Sequence, residues 1–239
     1  MTFDLVIAGG TLVTAAETIR ADVGVIGDTI AALGHGLTGA ARIDADGKLV
    51  LPGGVDPHVH LDMPVGATRS SDDWETGTIA AACGGTTTVI DFVEPDLGGS
   101  LAAGLAARRA EADGKSVIDY GLHMTLRRGD AQTLDQVPEA MRAGCASFKT
   151  YMTYEGFRLN DAELLAALEA VGAAGGLVLV HAENDAAIER GRRKFMEAGQ
   201  TAPRFHPRSR PVPGEAEAIE RALALAEVAG CPLYVVHTS

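Results

Sequence analysis

The sequence predicts an α/β fold of repeated strand–helix units, either a (β/α) barrel or a doubly wound parallel sheet, behind a small all-β segment. Three observations carry this. After Leu49, short apolar runs with little alternation recur roughly every 30 residues, as strands buried on both faces require. Stretches with helical periodicity lie between them. Residues 1–50 instead hold β-rich runs and turn signals and no helix.

In chain order, Asp4–Ala8, Thr11–Val13 and Asp22–Ile26 read as strands. Turns are expected at Gly9-Gly10, Gly27-Asp28 and Asp44-Ala45-Asp46-Gly47, the last before Lys48–Leu51. This gives a small N-terminal domain over residues 1–50 with its own core. Residues 51–239 then supply the strands Gly54–His60, Thr86–Phe92, Ile118–Met124, Ala146–Thr150, Leu177–His181 and Leu233–His237. Asp72 with Glu75 opens one helix, which Gly84 ends. Asn160 with Glu163 opens another, whose Leu164, Leu165, Leu168 and Val171 form an apolar stripe. Glu215–Ala229 is a third, with Ile219, Leu223 and Ala226 facing inward and Gly230 as stop. Before the last strand, the Pro/Arg-rich stretch Gln200–Gly214 reads as a surface insertion. About six strands do not close an eight-stranded barrel, and Ser239 falls just past a strand end. The chain is therefore expected to be part of a longer protein, with its first and sixth strands left as unpaired edges.

Composition narrows the function. The 239 residues carry 32 acidic and 20 basic side chains, a net charge of −12, which argues against holding a nucleic-acid backbone. No apolar run of ~18 residues suggests a membrane span, and the N-terminus lacks the pattern of a secretory signal. Three scattered cysteines, Cys83, Cys145 and Cys231, fit a reducing cytoplasm better than a disulfide framework. Cys83 and Cys145 read as small buried apolar groups.

The chemistry concentrates at strand ends. His58 and His60, two apart on a strand, point to one face and are natural metal ligands. Lys149, His181 and His237 end three later strands, at the rim where barrel enzymes place their active sites. Packing explains such a set poorly, because a buried unpaired lysine is costly and clustered imidazoles leave donors unmatched. A pair of metal ions resolves both problems. An ammonium has no lone pair, so Lys149 is either paired with an acid behind the ligands or has taken up CO₂ as a carbamate. His123, inside a strand, reads as a core histidine; His35 and His206 receive no role, and Asp91 could support a ligand from behind.

These residues stand in motifs that resemble the dihydropyrimidinase/D-hydantoinase group of cyclic amidohydrolases. The resemblance covers nearly the whole chain. It is carried by Leu51–Pro64 (LPGGVDPHVHLDMP), Gly77–Ala82, Gly84–Thr88 and Val89-Ile90-Asp91-Phe92. Ser147-Phe148-Lys149 with Tyr154, Val180–Asn184 (VHAEN), Ser209-Arg210-Pro211 and Tyr234–His237 complete it. The resemblance implies a TIM-like (β/α)₈ amidohydrolase barrel with about six of its eight strands present, plus part of a small β-sandwich domain. It implies two zinc ions per subunit, one on His58 and His60 and one on His181 and His237, bridged by N6-carboxylated Lys149. It implies that Tyr154 hydrogen-bonds the substrate carbonyl. Met63, Val65, Tyr151 and Phe157 are expected to line the pocket for the ring substituent. The implied activity is hydrolysis of dihydropyrimidines or 5-substituted hydantoins to N-carbamoyl amino acids by a binuclear zinc hydroxide. Allantoinase- or dihydroorotase-type hydrolysis and a non-enzymatic relative are the alternatives. The group also implies a homotetramer, and a sixth ligand, an aspartate acting as general base, that would lie beyond Ser239. The 239-residue chain alone is therefore expected to be inactive.

Overall fold

The structure, a computed structural model, describes residues 2–65 and 67–239. The chain forms two compact units that divide between Gly54 and Val55.

The first unit is one mixed sheet of β1 (Phe3–Val13), β2 (Thr18–Ile26), β3 (Thr29–Gly34), β4 (Gly39–Asp44) and β5 (Leu49–Val50). Its path is β3-β2-β1-β4, with β5 also on β1. Gly9-Gly10 is not a turn but a bulge inside a continuous β1, where the register against β2 shifts between Ile7 and Gly10. Gly9 takes the left-handed conformation (φ +72°), and its N–H donates to the buried Asp22 carboxylate at 2.7 Å. That bond satisfies the amide the bulge removes from the ladder, so the strand runs on. β3 and β4 were not expected, because TIAALG and GAARID are rich in Ala and Gly and expose Ile30, Leu33 and Ile43.

From the division onward come β6 (Gly54–Asp56), whose first residue is the last of the first unit, the hairpin β7 (Pro64–Val65) and β8 (Thr68–Arg69), and α1 (Trp74–Cys83). There follow β9 (Thr86–Val93), α2 (Leu101–Ala112), β10 (Asp119–Thr125), α3 (Ala131–Leu134), α4 (Val137–Arg142) and β11 (Ser147–Tyr151). The rest comprises α5 (Asp161–Ala173), β12 (Leu177–His181), α6 (Asp185–Glu197), α7 (Val212–Ala229) and β13 (Leu233–Val235). The six-stranded sheet runs β13-β12-β11-β10-β9-β6. Neighbours from β9 to β13 pair in parallel. A doubly wound sheet reverses its strand order at a switch point. This one never does, so the fold is a partial barrel. Phe148, Met124, Val178 and Val180 fill the core together with Leu164, Leu168 and Val171 of α5.

Helix ends differ in detail from the expectation. The N-cap of α1 is Asp73, not Asp72, and Thr76 rather than Glu75 closes the capping box: Thr76 N–H donates to Asp73 Oδ1 at 2.8 Å, and Thr76 Oγ1 accepts from Asp73 N–H at 3.2 Å. Asn160 and Glu163 cap α5 as the sequence suggests. The insertion is shorter than Gln200–Gly214, because α7 already starts at Val212, where proline in the first turn has a preset φ and no N–H to leave orphaned. Cys83 is exposed at the end of α1 rather than buried; Cys145 is buried, which pushes its thiol up to about 11.

Leu223 does not face inward. The buried stripe of α7 is Ala218, Ala222 and Ala226, while Leu223, ~100° further round the helix, is 49% exposed. These small residues sit where α7 packs beside α5. Ala222→Leu should therefore overpack the contact and cost about 1–3 kcal/mol, whereas Leu223→Ala should stay within about 0.5 kcal/mol of the parent. Thermal unfolding of the two variants checks this. Among the described residues no helix is long and apolar enough to cross a membrane.

Candidate metal centre

The five residues come from the barrel strands and the segments that follow them. Lys149 lies within β11, His181 ends β12, and His237 follows β13 by two residues. His58 and His60 are not on a strand, since β6 ends at Asp56. They lie in the segment after it, which Val59 ties to the neighbouring strand through an N–H to Ile90 O of 3.1 Å.

The imidazoles come as two pairs. His58 Nε2 and His60 Nε2 are 3.2 Å apart, and so are His181 Nδ1 and His237 Nε2. The pairs adjoin, with the His58 and His237 ring centroids 5.1 Å apart. Among the described residues no three His, Cys, Asp or Glu side chains form a metal cage by themselves; the grouping is two plus two, with the charge of Lys149 felt by every ring. Lys149 is 1% exposed, and its Nζ meets no hydrogen-bond partner among the described residues. Its nearest neighbours include the Tyr151 and Phe92 rings, with centroids 5.0 and 5.7 Å away. His60 Nδ1 is likewise buried and unpartnered.

Burial sets the electrostatics. It brings the Lys149 ammonium down to about 7, far below an ordinary lysine. Burial first, then the neighbouring Lys149 and His60 charges, takes His58 to about 3. Burial likewise takes His181 to about 4 and lowers His60 and His237. At neutral pH these are four neutral imidazoles with free lone pairs. Together with the orphaned Lys149 Nζ they form the donor set a borderline divalent ion such as zinc favours, so the residues present fit a metal centre.

Tyr154 sits in the loop after β11, its ring centroid 5.0 Å from that of His181. Burial raises its phenol above the usual range. Tyr151 stacks toward His181 at 5.8 Å and meets Phe157 edge-on at 5.3 Å. Met63 lines a separate cavity of about 470 Å³ against α2, which it shares with Phe92, Glu94 and Arg108. Val65 is exposed on the β7–β8 hairpin. Asp62, Tyr154 and His237 are the non-glycine residues with positive φ among those described (+46°, +75° and +33°). All lie in loops after strands at this rim, where strain is stored at functional sites. His123 is buried, with Nδ1 2.5 Å from Ser147 Oγ and Nε2 2.9 Å from Pro57 O, as a satisfied core histidine should be.

Two carboxylates, Asp91 and Glu183, hold the segments that carry the imidazoles. Asp91 accepts from Leu61 N–H (2.7 Å) and from Arg108 NH2 (2.6 Å), and Arg108 also donates to Leu61 O at 2.5 Å. This clamp holds both polar atoms of the backbone unit next to His60. Glu183 takes His181 Nε2 at 2.5 Å and pairs with Arg210. Burial pushes its carboxyl up, but the bonds from His181 and Arg210 outweigh that and keep it low. The spacing of Glu183 two residues after His181 was the signal available for it.

A protein-family model described as the amidohydrolase family matches residues 49–227, and the chain belongs to that family. Its similarities are to hydantoin- and dihydropyrimidine-named members. It is 46% identical to a D-hydantoinase of Streptomyces coelicolor, over 98% of this chain and 52% of that protein. The structure matches the crystal structure of a D-hydantoinase from Bacillus sp. AR9 with a TM-score of 0.96 at 44% identity, over 98% of this chain and 52% of that one. A dihydropyrimidinase from Brevibacillus agri NCHU1002 matches with a TM-score of 0.95 at 40% identity and the same coverage. The chain thus spans about half the length of the relatives it matches.

Proposed function

We infer that the whole protein to which this chain belongs hydrolyses the cyclic amide bond of 5-substituted hydantoins or dihydropyrimidines, giving N-carbamoyl amino acids. The observation that carries the reading is the juxtaposition of two neutral imidazole pairs and a buried, unpartnered lysine at the ends of the barrel strands. In this reading His58 and His60 would hold one zinc ion, His181 and His237 would hold another, and carboxylated Lys149 would supply a further anionic oxygen donor. When bound, the ions supply Lewis acidity and an acidified water.

The chain's own residues do the rest. With an amine near 7, Lys149 is neutral in a large fraction of molecules at neutral pH, so its lone pair can attack CO₂. The nitrogen–carbon bond forms as one C=O π bond of CO₂ opens, one N–H proton leaves to solvent, and the product is a carbamate whose single negative charge is shared by its two oxygens. Tyr154 stays protonated and donates its O–H to the carbonyl oxygen as negative charge gathers there. Tyr151 and Phe157 keep water from the ring substituent.

The test is ring opening by the whole protein. Purified with zinc, it should open dihydrouracil or a 5-substituted hydantoin, lose that activity on chelation and regain it with zinc. Tyr154→Phe should lower kcat by about 10²–10³-fold, the scale for removing one oxyanion donor, with a smaller change in KM. Zinc-loaded protein that opens neither ring, or activity indifferent to chelation, would contradict the reading.

A further inference from the structure

His181 differs from the other three histidines in what holds its outer nitrogen. Its Nε2 lies 2.5 Å from Glu183 Oε2. A carboxylate only accepts hydrogen bonds, so Nε2 must be the nitrogen that carries the proton. The lone pair is then on Nδ1, the atom that faces His237 Nε2 at 3.2 Å. Glu183 is itself held, because Arg210 NH1 pairs with the same oxygen. Arg210 in turn lies over the Tyr154 ring, 5.3 Å from its centroid, and its Nε is buried without a partner. The Arg210 side chain is 21% exposed, yet its Nε is buried and meets no partner among the described residues, which is costly to keep for packing alone. These groups surround a cavity of about 210 Å³ lined by Tyr154, His181, Glu183, Arg210 and His237.

We propose that Glu183, braced by Arg210, is a positioning residue that fixes the His181 tautomer and so sets the metal affinity of the His181–His237 pair. This rests on the metal-hydrolase reading above. Carboxylates behind ligand histidines set ring orientation and basicity, and their loss weakens metal binding by about 10–100-fold. The effect should fall on one ion of the two, because Glu183 makes no hydrogen bond to His58 or His60 among the described residues. Arg210 extends the same brace to the tyrosine loop. The segment Ser209-Arg210-Pro211 thereby acts on the site, although its composition reads as surface insertion.

The experiment uses the whole zinc-loaded protein and Glu183→Ala, Glu183→Gln and Arg210→Met variants. Each is dialysed against graded chelator, and zinc per chain is measured alongside the thermal midpoint. Glu183→Ala should release one of two ions at about 10–100-fold lower chelator strength than the parent and keep the other. Glu183→Gln retains a carbonyl oxygen that can accept the Nε2 proton, so it should fall between the two. In cobalt-substituted protein the visible spectrum of one site should change and the other persist. Should Glu183→Ala fail to fold, the isosteric Glu183→Gln decides by the same measure. Parent protein with two ions and variants that hold both at parental affinity would overturn this inference while leaving the hydrolase reading intact. Loss of both ions together with a lowered midpoint would overturn it too, as a purely structural role. Parent protein that takes up no zinc would overturn the hydrolase reading and this inference with it.

Discussion

Replacing Lys149 by methionine should remove turnover from the whole protein and at the same time stabilise its metal-free form. The two effects share one cause. The lysine is 1% exposed among aromatic rings, with no partner for its nitrogen among the described residues, so in the absence of metal it is a group the fold is better without. Its amine falls from an ordinary 10.5 to about 7 in the folded chain. Between those values the unfolded chain binds more protons than the folded one, so stability rises with pH across that window. Below about pH 7 the full penalty applies, roughly 3–6 kcal/mol for a shift of this size. Lys149→Met should recover stability of that order at pH 6 and flatten the slope between pH 7 and 10. Turnover should drop by on the order of 10³-fold or more, as when one member of a catalytic unit is lost. Denaturant titrations of the metal-free parent and variant across pH, beside their turnover with zinc, measure both effects. A variant less stable than the parent, or one that still turns over, would show that the lysine is held for packing.

Asp91→Ala should destabilise the protein by about 3–5 kcal/mol, the cost of stranding one partner of a buried ion pair. Asp91 is 1% exposed, and Arg108, from α2, is nearly so. Without the carboxylate, the Arg108 guanidinium stays buried beside Trp74 with two of its four hydrogen bonds gone, and the Leu61 and Phe92 amides lose their acceptor. Against a total stability of about 5–15 kcal/mol this is a large share. A double replacement, Asp91→Leu with Arg108→Met, should recover much of the loss, since well-packed apolar groups can replace a buried pair at little cost. The double variant should still bind metal poorly at His58 and His60, because Leu61 N–H and O then lose the side chains that hold them. Urea unfolding of the single and double variants checks the first claim, and zinc content checks the second.

What the sequence made legible is what local chemistry encodes. Unalternating apolar runs marked the barrel strands, and histidines or lysine at their ends marked the rim. The Asn160–Glu163 box marked the start of a helix to the residue. Long-range pairing was not legible. Arg108 reaches Asp91 and Leu61 O only because α2 packs against β9, and no periodicity in LAAGLAARRAEA singles that arginine out. Arg210 stood in a motif, Ser209-Arg210-Pro211, but its role was not legible, since TAPRFHPRSRPVPG reads as surface insertion and its ion pair with Glu183 spans 27 residues. The Gly9-Gly10 bulge was missed because the carboxylate that sustains it, Asp22, sits on the next strand. His58 and His60 share a target although they lie beyond the strand. Their convergence depends on the Leu61 clamp and the Val59 bond rather than on strand alternation.

The most direct test of the account is the position of metal in crystals of the whole protein grown with zinc. Anomalous scattering at the zinc edge should give two peaks, one against His58 and His60 and one against His181 and His237, with continuous density joining Lys149 Nζ to both. A single peak, peaks away from these four imidazoles, or a Lys149 amine that ends bare between two ions would contradict it.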